Sequence, residues 1–277
     1  MICFNGKIIR EKDFSINFNN RFFLYGDGFF ETIKIVRGKP LFWDDHYYRI
    51  MGSLCMLRMP IPSYFNSEYL FNNIQSLLNS NKLNTNSTRI RIVFFRNSDG
   101  YYLPDNNDFS YVISSEKLKT NFYNINEKGL TVDIFNQYKL GTCELNTLKS
   151  TNRIINVLAS MYTKDNFLDD SILINEKNNI VESTSGNLFF VSDNQLVTPS
   201  LDSGCIDGII RKKILSFSNF MDLEVKERDV KKSDLFNANE LFFTNVISGL
   251  KWVSNFKEKK FNNKYSLLIL KKLNTLI

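Results

Sequence analysis

Two hydrophobic rhythms follow one another in this chain and limit what it can become. Leu70, Phe71, Ile74, Leu77 and Leu78 recur at helical spacing behind a capping Asn66 or Ser67. Only eleven residues later, Arg89 to Phe95 reads Arg-Ile-Arg-Ile-Val-Phe-Phe, whose first positions alternate charged and apolar with the period of two that belongs to a half-buried strand. A chain that switches period so quickly must build helix against sheet. The same mixture recurs in the second half, so the reading is an α/β (α+β) protein of two domains. At 277 residues there is enough chain for two modest cores.

The remaining elements follow from punctuation. Phe4 to Ile9 forms a strand turning at Asn5-Gly6, and Thr32 to Val36 with Pro40 to Phe42 forms a hairpin closed by Arg37-Gly38-Lys39. Asp44 or Asp45 caps a helix from His46 to Arg58, which puts His46 and Arg49 on one face. A strand near Tyr111 to Ser114 precedes the polar stretch Glu116 to Asn124. The domain boundary falls there, giving 1–118 and 119–277. Beyond it come a strand from Leu130 to Ile134 and a helix carrying Ile154, Ile155, Leu158 and Met161 behind Ser150 or Thr151. Short strands follow at Asp170 to Asn175, Ile180 to Glu182, Asn187 to Val191 and Gln195 to Thr198. A helix opens at Gly208 with Ile210, Ile214 and Phe217 on one face, and then come a strand at Leu241 to Val246 and a last helix at Lys264 to Leu273. Lys251 to Lys264 is locally basic and reads as a solvated loop.

Composition narrows the function classes. The net charge of +6 comes from 35 basic and 29 acidic residues spread along the chain, which favours solubility over nucleic-acid binding. Four cysteines, Cys3, Cys55, Cys143 and Cys205, are far apart and share the chain with a single histidine, His46. That pattern argues against a zinc site and a disulfide scaffold, and for a reduced, cytoplasmic protein. There is no apolar leader and no run long enough to cross a bilayer, so neither secretion nor a membrane anchor is expected. No metal is expected.

Chemistry concentrates in four segments. Lys149 precedes a helix; alone it is an ordinary lysine, but burial or a bound electrophile makes such an amine reactive. Tyr25-Gly26-Asp27-Gly28-Phe29-Phe30-Glu31 and His46-x-x-Arg49 lie before it. Val181-Glu182-Ser183-Thr184-Ser185-Gly186-Asn187-Leu188-Phe189 and Gly204-Cys205-Ile206-Asp207-Gly208-Ile209-Ile210-Arg211 lie after it, followed by Phe243-Thr244-Asn245-Val246-Ile247-Ser248.

In order and spacing these segments resemble the class IV aminotransferases, the fold-type IV pyridoxal-phosphate enzymes, from about Phe4 to Val253. The resemblance implies a small N-terminal α/β domain, a larger C-terminal pseudo-barrel domain, pyridoxal 5′-phosphate between them, and a homodimer whose partner loops complete each site. It implies Lys149 as the Schiff-base lysine and carrier of the substrate Cα proton, and Arg49 as a phosphate ligand through a guanidinium that does not titrate away. It implies Glu182 facing the pyridine nitrogen and Gly208, Ile209 and Ile210 as a backbone phosphate cup, with Asn187, Thr244 and Asn245 also at the cofactor. Tyr25, Phe30 and Arg96 are the implied substrate residues, Arg96 for a carboxylate.

The departures bear on the reaction. Ile210 stands for the usual threonine of the cup, and Val246 where some members have threonine. Branched-chain members carry a tyrosine five residues after the lysine; here it is Ile154. The D-amino-acid enzymes trap the carboxylate with Arg-x-His; here Arg96 is followed by Ser98. Lys149-Ser150-Thr151-Asn152-Arg153 is similar to the Lys-x-Leu-Asn-Arg of aminodeoxychorismate lyase, with Thr151 for leucine, and Thr32 also fits the lyase. Glu31-Thr32-Ile33-Lys34 is equally similar to the transaminases. The expected activity is amino-acid transamination with a 2-oxo acid. The alternative is a lyase releasing p-aminobenzoate and pyruvate from aminodeoxychorismate, and a non-catalytic binding module is the third reading. Either enzyme acts on a small molecule.

Overall fold

The computed structural model describes residues 1–217 and 222–277, which divide into two compact units. The first comprises Met1–Asn121 together with Lys149–Asn152; the second comprises Phe122–Leu148 and Arg153–Ile277.

The first unit runs β1 (Ile2–Phe4), β2 (Lys7–Ile9), α1 (Arg21–Tyr25), β3 (Gly28–Val36), β4 (Lys39–Pro40), α2 (Trp43–Met56), α3 (Ser67–Ser80), β5 (Thr88–Arg96) and β6 (Phe109–Lys117). Its six strands form an antiparallel sheet in the order β2-β1-β6-β5-β3-β4. Strand alternation decides what each face of the sheet does. Phe29, Ile33 and Ile35 of β3 join Ile90, Ile92 and Phe94 of β5 in a core closed by Ile50 and Leu54 of α2 and Leu70, Ile74, Leu77 and Leu78 of α3. Phe30, Thr32 and Lys34 alternate with these residues and point to the opposite face.

Local chemistry explains the boundaries. Asn66 caps α3 by accepting the Tyr69 N–H at 2.8 Å. The turn between β3 and β4 is two residues long, Arg37-Gly38, both at positive φ, so Lys39 belongs to the strand. Helix α2 starts at Trp43, three residues before the expected His46. Its N-cap is Phe42 at φ 54°, and Asp44 and Asp45 lie in the first turn, where carboxylates complement the helix dipole. Sequence reasoning missed α1, though Asn20 at its N-cap and Gly26 at φ 60° at its C-cap are both recognisable signals.

The second unit runs β7 (Leu130–Leu140), α4 (Ile154–Asp165), β8 (Asp170–Asn175), β9 (Ile180–Ser183), β10 (Asn187–Ser192), β11 (Gln195–Pro199), α5 (Ile209–Leu215), β12 (Glu224–Arg228), α6 (Lys232–Asn237), β13 (Glu240–Asn245), β14 (Gly249–Phe256), β15 (Lys259–Lys260) and α7 (Lys264–Asn274). The sheet order is β12-β11-β10-β13-β14-β7-β8-β9, with β15 on β14. One rung, Asn187 against Glu182, joins β9 back to β10 and closes the sheet into a barrel. Leu188, Phe190, Leu241, Phe243 and Val253 belong to one core. Phe135, Leu173 and Val181 form a second with α4 through Ala159, Ile155 and Leu158.

Three expectations change here. Ser150 and Thr151 do not cap α4, which starts at Ile154 behind Arg153; both residues are taken up by β3 instead. Ile154 and Met161 stay exposed at 65% and 57%, so only part of the apolar pattern of α4 faces the core. The basic stretch Lys251 to Lys264 is largely strand, β14 and β15: β14 pairs with β13 and β7, and a register shift between Val253 and Asn255 lets both Val253 and Phe256 join the core. At the far end, buried Glu240 accepts the N–H groups of Tyr265 and Ser266 at 2.8 and 2.9 Å, supplying the donors at the start of α7 with their partner.

Candidate active site

Lys149 is held by backbone. β4 pairs only with Ile35 and Val36, so the edge of β3 at Gly28–Phe30 is open. Residues 149–151 fill it: Phe30 N–H donates to Lys149 O at 2.9 Å, Thr151 N–H donates to Gly28 O at 3.0 Å, and Ser150 stands opposite Phe29. The Thr151 hydroxyl donates to Gly26 O at 2.6 Å, and Asn152 Nδ2 donates to the same carbonyl at 3.2 Å. With its main chain fixed, Lys149 carries Nζ over the Phe30 ring, 4.1 Å from the centroid; the Arg91 guanidinium lies over the same ring at 4.3 Å. Thr32 shares the Phe30 face of β3 by strand alternation.

On the other face Glu31 points into the core at 2% exposure. Arg49 grips it with a fork, Nε to Oε2 at 2.9 Å and Nη2 to Oε1 at 2.6 Å. His46 Nδ1 lies 3.0 Å from Oε1. Burial alone would raise the Glu31 carboxyl, but Arg49 and His46 outweigh it and hold it well below the usual carboxylate range. Burial pushes His46 down against the pull of the Glu31 charge, and its Nε2 has no partner among the described residues. Glu31 was absent from the sequence-derived set. Its signal was the place it holds beside Phe30, with the histidine and arginine three apart on a helix.

Tyr25 and Arg96 meet in one cavity of about 500 Å³, which Asn152 also lines. Arg96 is 7% exposed, and its fork is engaged: Nε to Asp27 Oδ2 at 2.9 Å, Nη1 to Asn107 Oδ1 at 2.6 Å and Nη2 to Leu57 O at 2.8 Å.

In the second unit, Glu182 and Asn187 are cross-strand partners at the rung that closes the barrel, and both grip one residue. Ile206 N–H donates to Glu182 Oε2 at 3.0 Å, and Asn187 Nδ2 donates to Ile206 O at 2.7 Å. Gly208 follows two residues later. A Cβ there would meet Asn187 Oδ1, so any other residue would have to displace the Asn187 amide from its bond to Ile206 O. Ile209 and Ile210 open α5 and are buried. With seven residues α5 carries a short dipole, and N–H donors are its main offering.

Thr244, opposite Asn187 on β13, is 2% exposed, and its hydroxyl has no partner among the described residues. An unpaired buried hydroxyl beside a glycine-lined turn is what a phosphate oxygen would satisfy, and the residues present fit a phosphorylated cofactor. Asn245 differs: its Oδ1 accepts the Ile247 and Ser248 N–H groups at 3.0 and 2.9 Å and builds its own turn. Cys205 is pushed up to about 12 by burial first and the Glu182 charge second, so this thiol is no nucleophile. Among the described residues no group of three or more His, Cys, Asp or Glu could hold a metal.

The family model for amino-transferase class IV matches residues 28–256. The chain is 29% identical to the aminodeoxychorismate lyase of Vibrio harveyi, over 85% of each. It is 28% identical to a putative branched-chain-amino-acid aminotransferase of Methanocaldococcus jannaschii, over 98% of this chain and 93% of that one. Its fold matches that of the branched-chain amino acid aminotransferase from Thermobaculum terrenum solved in its PLP form, with TM-score 0.85 at 17% identity over 98% of this chain and 91% of that one. The family match takes in β3, Lys149, the Glu182–Asn187 rung and the Thr244 turn alike, and on it this protein belongs to the amino-transferase class IV family, with the fold-type IV architecture.

Proposed function

We propose that this protein is a pyridoxal 5′-phosphate enzyme that moves an amino group between an amino acid and a 2-oxo acid, with Lys149 as its catalytic residue. The observation that carries the reading is the pinning of residues 149–151 to β3. It fixes the backbone from the Lys149 carbonyl onward and leaves a flexible four-carbon stem, so one amine can hold the cofactor and then release it.

When bound, the cofactor supplies an electron-withdrawing ring. Glu182, its carboxylate anchored by Ile206, keeps a proton on the pyridine nitrogen. Arg49, oriented by Glu31, offers charge to the phosphate. The Thr244 hydroxyl and the N–H groups of Ile209 and Ile210 donate to it, with Gly208 and Asn187 shaping the approach and Asn245 holding the neighbouring turn. Lys149 Nζ takes the proton from the substrate Cα and returns it, and Tyr25, Phe30 and Arg96 orient the substrate. In this reading the protein works as a cytoplasmic homodimer; light scattering of the loaded protein tests its mass.

A lyase reading is favoured by one observation, Thr32 on the same strand face as Phe30, the residue whose ring lies under Lys149 Nζ. A hydroxyl there can deliver a proton to a departing group. The assays separate the two. Transamination requires a 2-oxo acid acceptor; pyruvate and p-aminobenzoate released from aminodeoxychorismate without any acceptor would replace the first reading by the second. For the cofactor, borohydride reduction and peptide mapping should place the added mass on Lys149, and Lys149→Ala should carry none. A wild-type protein that stays colourless with pyridoxal 5′-phosphate would sink both readings.

A further inference from the structure

The loop joining β5 to β6 has every reason to be mobile. Its tip, Tyr101, Tyr102 and Leu103, is 85%, 90% and 83% exposed, and few apolar contacts hold it. It also walls the cavity that holds Arg96, through Tyr102 and Pro104. The Tyr25 ring packs against Tyr102 at 5.6 Å, and one side chain holds the backbone of the tip. Arg21, 6% exposed in α1, donates from Nη1 to Gly100 O at 3.3 Å and to Tyr101 O, and from Nη2 to Tyr102 O at 3.3 Å. Three consecutive carbonyls of the loop are read by one planar fork.

The fork is itself anchored. Arg21 Nε donates to Asp27 Oδ2 at 2.9 Å, and the same oxygen accepts Arg96 Nε at 2.9 Å. Arg96 holds the other end of the loop at Asn107. One carboxylate oxygen is therefore the common post for the residue that clamps the tip and for the arginine of the cavity wall. Two guanidinium groups against one carboxylate leave this wall with a net positive charge.

We propose that Arg21 is a positioning residue for substrate recognition. It clamps the 97–108 loop so that Tyr102 and Pro104 close the cavity around a carboxylate-bearing substrate, while Asp27 keeps Arg96 turned toward the same space. The proposal rests on the reading of Arg96 as a substrate residue. The planar fork does the work, not the charge alone: a lysine restores the charge but cannot serve three carbonyls and Asp27 together.

The test uses the full-length, cofactor-loaded protein with Arg21→Met and Arg21→Lys. Chymotrypsin cuts after Tyr101 and Tyr102, the Leu103–Pro104 bond being resistant, and mass spectrometry identifies the cut. Both variants should be nicked there about tenfold or more faster than wild type. The KM for the carboxylate substrate should rise about tenfold or more, with kcat falling less. Nicking at the wild-type rate in both variants overturns the clamp. Full recovery in Arg21→Lys overturns the fork and leaves only charge. Faster nicking with unchanged KM overturns the link to recognition. Should Arg21→Met not accumulate as folded protein, Arg21→Lys carries the same comparison. If wild type takes up no cofactor, the functional reading fails instead, and the protease arm still decides whether Arg21 clamps the loop.

Discussion

Glu31 shows how one buried side chain can serve a site from behind. Its carboxylate is held ionised by Arg49 and His46, and in return it fixes the direction of the Arg49 fork. Glu31→Gln should therefore lower stability at pH 7 by about 3–5 kcal/mol, the cost of breaking a buried pair, as read by urea unfolding. The pH profile carries the sign. A carboxyl depressed in the folded state contributes fully above its unfolded pKa of about 4.3, and the contribution drains away as pH falls below that value. The acid limb of wild type should be steeper than that of Glu31→Gln; parallel limbs would refute the pairing. Lys34 gives the opposite case. Burial pushes its amine down to about 8. Between pH 8 and about 10.4 the unfolded chain binds more protons than the folded one, so stability rises with pH over that window. Subtracting the profile of Lys34→Met should isolate that rise, and a flat difference would count against it.

At the scale of elements, the edge of β3 decides where Lys149 goes. Thr151→Val removes the hydroxyl bonded to Gly26 O and Gly28 O at 2.6 and 3.1 Å while nearly preserving volume. The loss of these hydrogen bonds is worth about 1–3 kcal/mol locally. Amide exchange at Phe30 and Thr151 should quicken by about tenfold, and unchanged protection would show that the backbone pairing suffices alone. Much of this level was legible in the sequence. Asn66, the alternation of β5 and the Asn-Gly turn after β1 carry their geometry in three or four neighbouring residues. Thr151 misled for the same reason: read locally, a threonine before an apolar helix is a cap, and only the open edge of β3, far away in sequence, gives its hydroxyl better acceptors. Helix α1 was overlooked because five residues show too little periodicity to stand out.

At the scale of the whole molecule, the proposed cofactor should behave as a ligand of the folded state alone. Pyridoxal 5′-phosphate at about a hundredfold over its Kd should stabilise the protein by about 2.7 kcal/mol. The gain should shrink in Lys149→Ala, and equal gains in both proteins would mean binding elsewhere. Composition and motif order were enough to reach the family, because a fold-type IV chain must offer its lysine, glutamate and glycine turn in a set sequence. They also placed Arg49 on a helix, Glu182 on a strand and Gly208 at a helix start, since each of these motifs signals its own element. What no linear reading could supply is partnership across distance. That Glu182 and Asn187 grip the same residue, that Gly208 packs against the Asn187 amide, that Arg96 shares one carboxylate oxygen with Arg21, and that Lys149 belongs to the sheet of the first unit all depend on sheet register and closure. Those are set by the burial of whole faces against one another, and only the tertiary structure decides them.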